Sequence, residues 1–340
     1  MTRRSAMIMV CLALMTALGG AGTAEARQVS WTPFQPAPGD IDVAGPRSDG
    51  RLVVAMYGGI QLFDGAGLTP FTFQSGPGAY SPAIGEPYLA VTPKVKLPKA
   101  GCSFHRDDVF SLDYPTGIVR INRFGAASDF ASPSSPFLSG ITFDRVGTFG
   151  HRLLATGTAN GQSTLYAIDC RGRVTTLTDH GPLVEGGIEV APRTFGRFAG
   201  RLIAPDETHG SIHAFKPDGS ATTVATPSLL TGGDIGVESV GFVPRLGPKG
   251  AAFLADRSDQ AEPHPGTGSI LRLTASQLSK ADVAAGDLLV ATEGGAETVA
   301  VRCRKGKKSC GVRVVGAGPS ITHAEGHIAF LGMRRVKDRR

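Results

Sequence analysis

Four segments of this chain share one local pattern: Arg51-Leu-Val-Val-Ala, Arg152-Leu-Leu-Ala, Arg201-Leu-Ile-Ala and Ala252-Phe-Leu-Ala. Each precedes a second apolar segment such as Gly59-Ile-Gln-Leu-Phe-Asp-Gly or Ser211-Ile-His-Ala-Phe-Lys-Pro-Asp-Gly. The second type recurs at Ile60, Ile118, Leu165, Ile212 and Ile270, at spacings of 58, 47, 47 and 58 residues. A repeat of about 40–50 residues is the length of one propeller blade. The segments alternate or run apolar over short stretches, and helical periodicity appears only at Ala275 to Ala285, so the pattern is that of strands. The expected fold is an all-β propeller of four-stranded antiparallel blades, six in number, with five or seven as the alternatives.

One complete unit is legible at residues 184–227. Gly187-Ile-Glu-Val-Ala-Pro supplies strand one, Arg201-Leu-Ile-Ala-Pro strand two, Ser211-Ile-His-Ala-Phe strand three and Ala221-Thr-Thr-Val-Ala strand four, with Gly and Pro-Asp-Gly turns between them. Similar units are expected near residues 37–75, 83–131, 138–179 and 236–292. A sixth, from Glu297 onward with Ile321 to Phe330, is expected to be completed by the N-terminal strand, which closes the ring without leaving a free edge. The 46 Gly and 23 Pro belong to the many turns.

Residues 1–26 carry Arg3-Arg4, an apolar run from Met7 to Leu18 and then Ala24-Glu25-Ala26, the order of a secretory signal peptide. The expected organisation is therefore a leader (1–26), one propeller domain (27–333) and a basic tail (334–340), in a secreted protein. No later stretch reaches the length of a spanning helix. Without Arg3, Arg4 and Glu25 the formal net charge falls from +6 to +5, and residues 334–340 alone carry +4. The body is nearly neutral, which argues against an extended nucleic-acid surface. The tail reads as a solvated end, or as a contact to an anionic surface.

Cys11 leaves with the leader, and the four remaining cysteines suit an oxidising compartment. Cys303 and Cys310 flank what reads as a hairpin tip, so they are expected to pair, and Cys102 with Cys170. A zinc-thiolate site is the rival, but the spacing and the leader speak against it.

Strands one and two of a blade are antiparallel, so the start of the first and the end of the second share a rim. That rim is expected to carry Glu86, Glu185, Glu238 and Glu325, with Asp206-Glu207, Asp256 and Asp259. Lys94, Arg193 and Arg245 fall on the opposite rim. Carboxylates at one channel mouth either accept backbone N–H bonds, face water, or repel until a cation binds, and oxygen ligands in an extracellular fluid suit Ca²⁺. The four glutamates are thus candidate metal ligands. His323 and His327 are candidates for proton transfer beside Glu325, and as strand neighbours about 13 Å apart they cannot ligate one ion together. His105, with Arg106-Asp107-Asp108, is expected in a solvated loop before a second strand.

No nucleophile elbow, phosphate loop, dinucleotide fingerprint or His-Glu-x-x-His occurs. Gly85-Glu86-Pro87 resembles the Gly-Glu-Gly-Pro opening of the gluconolactonase, senescence marker protein and paraoxonase group of six-bladed propellers. The resemblance implies that Glu86 is a cation ligand and that the protein hydrolyses a lactone or ester. The chain departs from that group in having no Asn-Gly at a later inner strand, and its Pro217-Asp218-Gly219 lies in an outer turn. Two functions follow from the sequence: an exported, monomeric propeller that binds a small molecule, glycan or protein at its acidic rim, or a Ca²⁺-dependent hydrolase at the channel mouth.

Overall fold

A computed structural model describes residues 28–80, 85–97, 99–113, 117–135, 137–258 and 263–334. The leader, Asp259 and residues 335–340 of the basic tail lie outside the described residues. Four four-stranded antiparallel sheets follow one another along the chain. The first is Asp40–Ala44, Leu52–Met56, Gly59–Phe63 and Leu68–Pro70; the second is Leu89–Val91, Val109–Asp113, Gly117–Ile121 and Ala127–Ala131. The third is Phe137–Phe143, Leu153–Ala159, Gln162–Ile168 and Val174–Gly181; the fourth is Glu189–Val190, Leu202–Asp206, Ser211–Phe215 and Ala221–Ala225. Each is a blade of a propeller-like, all-β arrangement. Inner strands such as Asp40–Ala44 are wholly buried, whereas outer strands such as Ala221–Ala225 carry Thr toward solvent.

Apart from a two-stranded hairpin, Lys96–Leu97 with Cys102–Ser103, the remaining strands form one nine-stranded sheet in the order Val29–Ser30, Gly311–Ala317, Thr298–Arg302, Leu288–Thr292, Val237–Phe242, Ala324–Met333, Leu246–Asp256, Ser269–Thr274 and Thr32–Pro36. Its middle is held by a single parallel pairing, Val240 with His327. This corrects the expectation that residues 236–292 form one unit. Leu246–Asp256 pairs with the late strand Ala324–Met333 on one side and with Ser269–Thr274 on the other, and the chain returns to Val237–Phe242 only with Leu288–Thr292. Between these excursions lies the helix Ala275–Lys280, opened by a reciprocal Thr274–Gln277 capping box. The N-terminal strand Thr32–Pro36 completes the sheet that contains Ala324–Met333, and the indole of Trp31 donates to Thr298 Oγ1 at 2.8 Å, which anchors the strand.

Apolar clusters lie between neighbouring sheets rather than within one. Ala90, Phe110 and Ile118 of the second blade meet Ile141, Leu153 and Tyr166 of the third, where Phe104, Phe110 and Phe143 pack edge to face at 4.9–5.7 Å. Val43, Leu52 and Val54 of the first blade meet Ala251, Phe253 and Ile270 of the nine-stranded sheet, so the succession returns to its start.

Both cysteine pairs are joined as expected. Cys102 and Cys170 link the second and third blades, and Cys303 and Cys310 close the turn between Thr298–Arg302 and Gly311–Ala317.

Candidate functional site: a carboxylate cluster at the channel mouth

The antiparallel rule places the acids. Glu86 and Glu185 lie just before the inner strands Leu89–Val91 and Glu189–Val190, while Glu238 and Glu325 are the second residues of the inner strands Val237–Phe242 and Ala324–Met333. Glu207, Arg257 and Glu293 each follow the last residue of a second strand, Leu202–Asp206, Leu246–Asp256 and Leu288–Thr292. All of these positions meet on one rim.

Glu86, Glu238 and Glu325 converge on the hydroxyl of Tyr88. Its oxygen lies 2.7 Å from Glu86 Oε2, 2.9 Å from Glu325 Oε2 and in hydrogen-bond contact with Glu238 Oε1. One hydroxyl has one proton to donate. The other contacts therefore need a proton on a carboxyl, or a cation among the oxygens. Arg257 Nη1 lies 2.9 Å from Glu325 Oε1 and 3.4 Å from Glu86 Oε1. His323 Nε2 lies 2.7 Å from Glu293 Oε1 and 3.1 Å from Glu325 Oε1, and the Glu207 carboxyl hydrogen-bonds that of Glu293.

Five carboxyl groups, Glu86, Glu207, Glu238, Glu293 and Glu325, thus face two cationic side chains, Arg257 and His323. The imbalance shows in the acidities. Burial, then Glu325 and Glu185, push Glu86 up to about 8, although 34% of its side chain stays exposed and water tempers the effect. Burial and Glu207 push Glu185 to about 7, burial raises Glu293 to about 9, and burial with Glu325 raises Glu238 well above the usual range. Glu325 is the exception: burial would raise it, but the His323 hydrogen bond and Arg257 outweigh that, and it falls below its ordinary value. The bond to Glu293 and that to Glu325 overcome burial at His323 and carry its imidazole to about 11.

Of the residues singled out in the sequence, Glu86, Glu238 and Glu325 are brought together, and Glu185 stands close enough to act on Glu86 through its charge. His323 joins the cluster. His327 does not: Nδ1 faces Asp42 Oδ2 at 3.0 Å, and Nε2 faces the carbonyls of Ile141 and Ile188 at 3.1 and 3.2 Å. With acceptors at both nitrogens it ties inner strands together across the channel, below the cluster. Gly326 allows this descent, since φ is +66° and a Cβ there would collide with the Asp42 carboxylate. His105 is exposed in the loop before Val109–Asp113, as expected. On the far side of His327 a cavity of about 190 Å³, lined by Val91, Phe143, Arg145, Glu189 and Phe330 among others, opens at the other end of the channel.

Sequence reasoning missed Tyr88, Arg257 and Glu293. The signal existed for two of them: Leu288-Leu-Val-Ala-Thr-Glu293 and Ala252-Phe-Leu-Ala-Asp-Arg257 match Leu202-Ile-Ala-Pro-Asp-Glu207 position by position.

No protein-family model matches the sequence, and no curated protein matches it. Solved structures similar to the chain include a streptogramin B lyase (TM-score 0.44, 10% identity, covering 84% of this chain and 72% of that one). Virginiamycin B lyase from Staphylococcus aureus is similar with a TM-score of 0.40 and 13% identity, over 85% of this chain and 88% of that one. A putative gluconolactonase gives a TM-score of 0.36 and 12% identity, over 72% and 91%.

Proposed function

We propose that this is an exported six-bladed propeller whose acidic mouth holds a Ca²⁺ ion and binds its ligand there. The reading counts the nine-stranded sheet as two blades, because one residue pair joins its halves and the apolar cluster of Leu254, Leu271, Leu289 and Val315 packs between them as between any two neighbours. Export is supported by the leader-like order of residues 1–26 and by two disulfides. No helix among the described residues is long and apolar enough to cross a membrane.

The observation that carries the proposal is the convergence of Glu86, Glu238 and Glu325, whose oxygens lie within 4.8 Å of one another around one hydroxyl. These are hard oxygen donors only, the set that Ca²⁺ prefers, and each carboxylate offers up to two ligand atoms. A divalent ion offsets the anionic excess without a Cys or His ligand. A bound ion with free coordination positions would then orient hydroxyl or carboxylate oxygens of an incoming molecule.

A second reading, the lactone or ester hydrolase, is favoured by one feature. The same mouth sets carboxyls with raised pKa values, Glu86 and Glu293, beside Glu325, which stays ionised, and such a split supplies an acid and a base at one pH. Turnover of simple lactones and aryl esters that depends on Ca²⁺ and vanishes in Glu325→Gln supports that reading; a flat panel leaves the binding function.

Titration calorimetry of the chelator-treated chain with Ca²⁺ tests the proposal. The expected dissociation constant is about 1 mM or tighter, the scale of extracellular modules. Glu86→Gln and Glu238→Gln should each weaken it at least tenfold, and absence of binding heat in the unaltered protein overturns the site.

A further inference from the structure

His323 is held in an orientation that the carboxylate cluster alone does not require. Its Nδ1 donates to the carbonyl of His264 at 2.9 Å, and its backbone N–H donates to Asp256 Oδ1 at 2.8 Å. A carbonyl only accepts, so the Nδ1 proton is assigned and Nε2 is the atom turned toward Glu293 and Glu325. A ring nitrogen tied to a backbone carbonyl while its partner faces carboxylates is how metal-ligating histidines are positioned.

A second observation points the same way. Glu207 is only 9% exposed, its Oε1 is buried without a hydrogen-bond partner, and its carboxyl touches that of Glu293. A buried carboxylate oxygen left unpaired next to the Glu293 carboxyl, and within electrostatic reach of Glu325, is an acceptor that a cation would satisfy.

We propose a second cation site at this mouth, in which Glu293, His323 and Glu325 ligate a borderline transition-metal ion of the Zn²⁺ or Mn²⁺ type, with Glu207 as the adjoining carboxylate. The Nε2 atom and the carboxylate oxygens of the three ligands lie within 4.8 Å of one another. One imidazole nitrogen with carboxylate oxygens suits Zn²⁺ or Mn²⁺ and disfavours Ca²⁺, which takes oxygen ligands. The site shares Glu325 with the oxygen-only site, while His323, Glu293 and Glu207 are its own. It does not depend on the Ca²⁺ reading.

The test uses the mature chain, freed of metal with a chelator and titrated with Co²⁺ as a spectroscopic stand-in for Zn²⁺. The expected result is a visible absorption that saturates at one Co²⁺ per chain and is displaced by Zn²⁺. His323→Ala and Glu293→Gln should weaken Co²⁺ binding at least tenfold, and Glu86→Gln should leave it unchanged. If His323→Ala does not fold, the near-isosteric Glu293→Gln carries the comparison. No absorption beyond that of free Co²⁺ in the unaltered protein overturns the site, as does binding by His323→Ala and Glu293→Gln as tight as that of the unaltered protein. Equal loss of Co²⁺ binding in Glu86→Gln would also overturn it, because the mouth would then hold one ion and not two.

Discussion

Arg257 Nη1 stands 2.9 Å from Glu325 Oε1, and together with the His323 hydrogen bond it keeps the central carboxylate of the mouth ionised. Glu325 is completely buried yet its carboxyl is held below the usual value, while its neighbours Glu86, Glu238 and Glu293 are all raised. One ionised carboxylate at the centre, kept so by Arg257 and His323, makes every further ionisation around it costly.

Arg257→Gln should therefore destabilise the fold in the absence of divalent ions. Breaking a buried pair by removing one partner costs about 3–5 kcal/mol, less whatever Glu325 recovers by taking up a proton. Urea denaturation of the chelator-treated variant beside the unaltered chain measures the difference.

The raised carboxyls make a signed prediction for pH. Asp40 and Glu86 lie at about 8, Glu185 at about 7 and Glu293 at about 9, all above their unfolded values. Between about pH 4.5 and 9 the native state then binds more protons than the unfolded chain, so stability falls as pH rises through that window. Melting temperature of the metal-free protein should decline from pH 5 to pH 9. A melting temperature that rises across that range contradicts the burial of these groups.

The two disulfides should differ in weight. Cys102 and Cys170 are 68 residues apart and Cys303 and Cys310 only 7, so loop entropy assigns about 4 and about 2.5 kcal/mol to them. The double variant Cys102→Ala/Cys170→Ala should lose more in denaturant midpoint than Cys303→Ala/Cys310→Ala.

Much of this architecture was legible in the sequence. The 47-residue spacings from Ile118 to Ile212 locate the second to fourth blades because consecutive strands there are also neighbours in space. Glu86, Glu185, Glu238 and Glu325 could be placed on one rim because each opens or precedes an inner strand. Where the chain leaves one half of the nine-stranded sheet and returns, that logic fails: Leu288–Thr292 reads as the end of a unit and is a second strand. Glu293, the second carboxyl partner of His323 beside Glu325, was lost with it. Tyr88 carried no signal, since its hydroxyl matters only once three separate blade edges converge on it.

Gly326→Ala should be poorly tolerated. The residue sits at φ +66°, and the added methyl would meet the Asp42 carboxylate that holds His327. A cost of about 1–3 kcal/mol from the backbone alone is expected, read as a fall in melting temperature. An unchanged melting temperature would mean that the His327 tie across the channel contributes little.

The most direct measurement is a crystal structure of the protein grown with Ca²⁺ at several millimolar and compared with metal-free crystals. A density peak is expected about 2.3–2.6 Å from oxygens of Glu86, Glu238 and Glu325, with Arg257 withdrawn from Glu86. A mouth that is unchanged in Ca²⁺, with Tyr88 still bonded to all three carboxyls and no peak among them, would contradict the Ca²⁺ site.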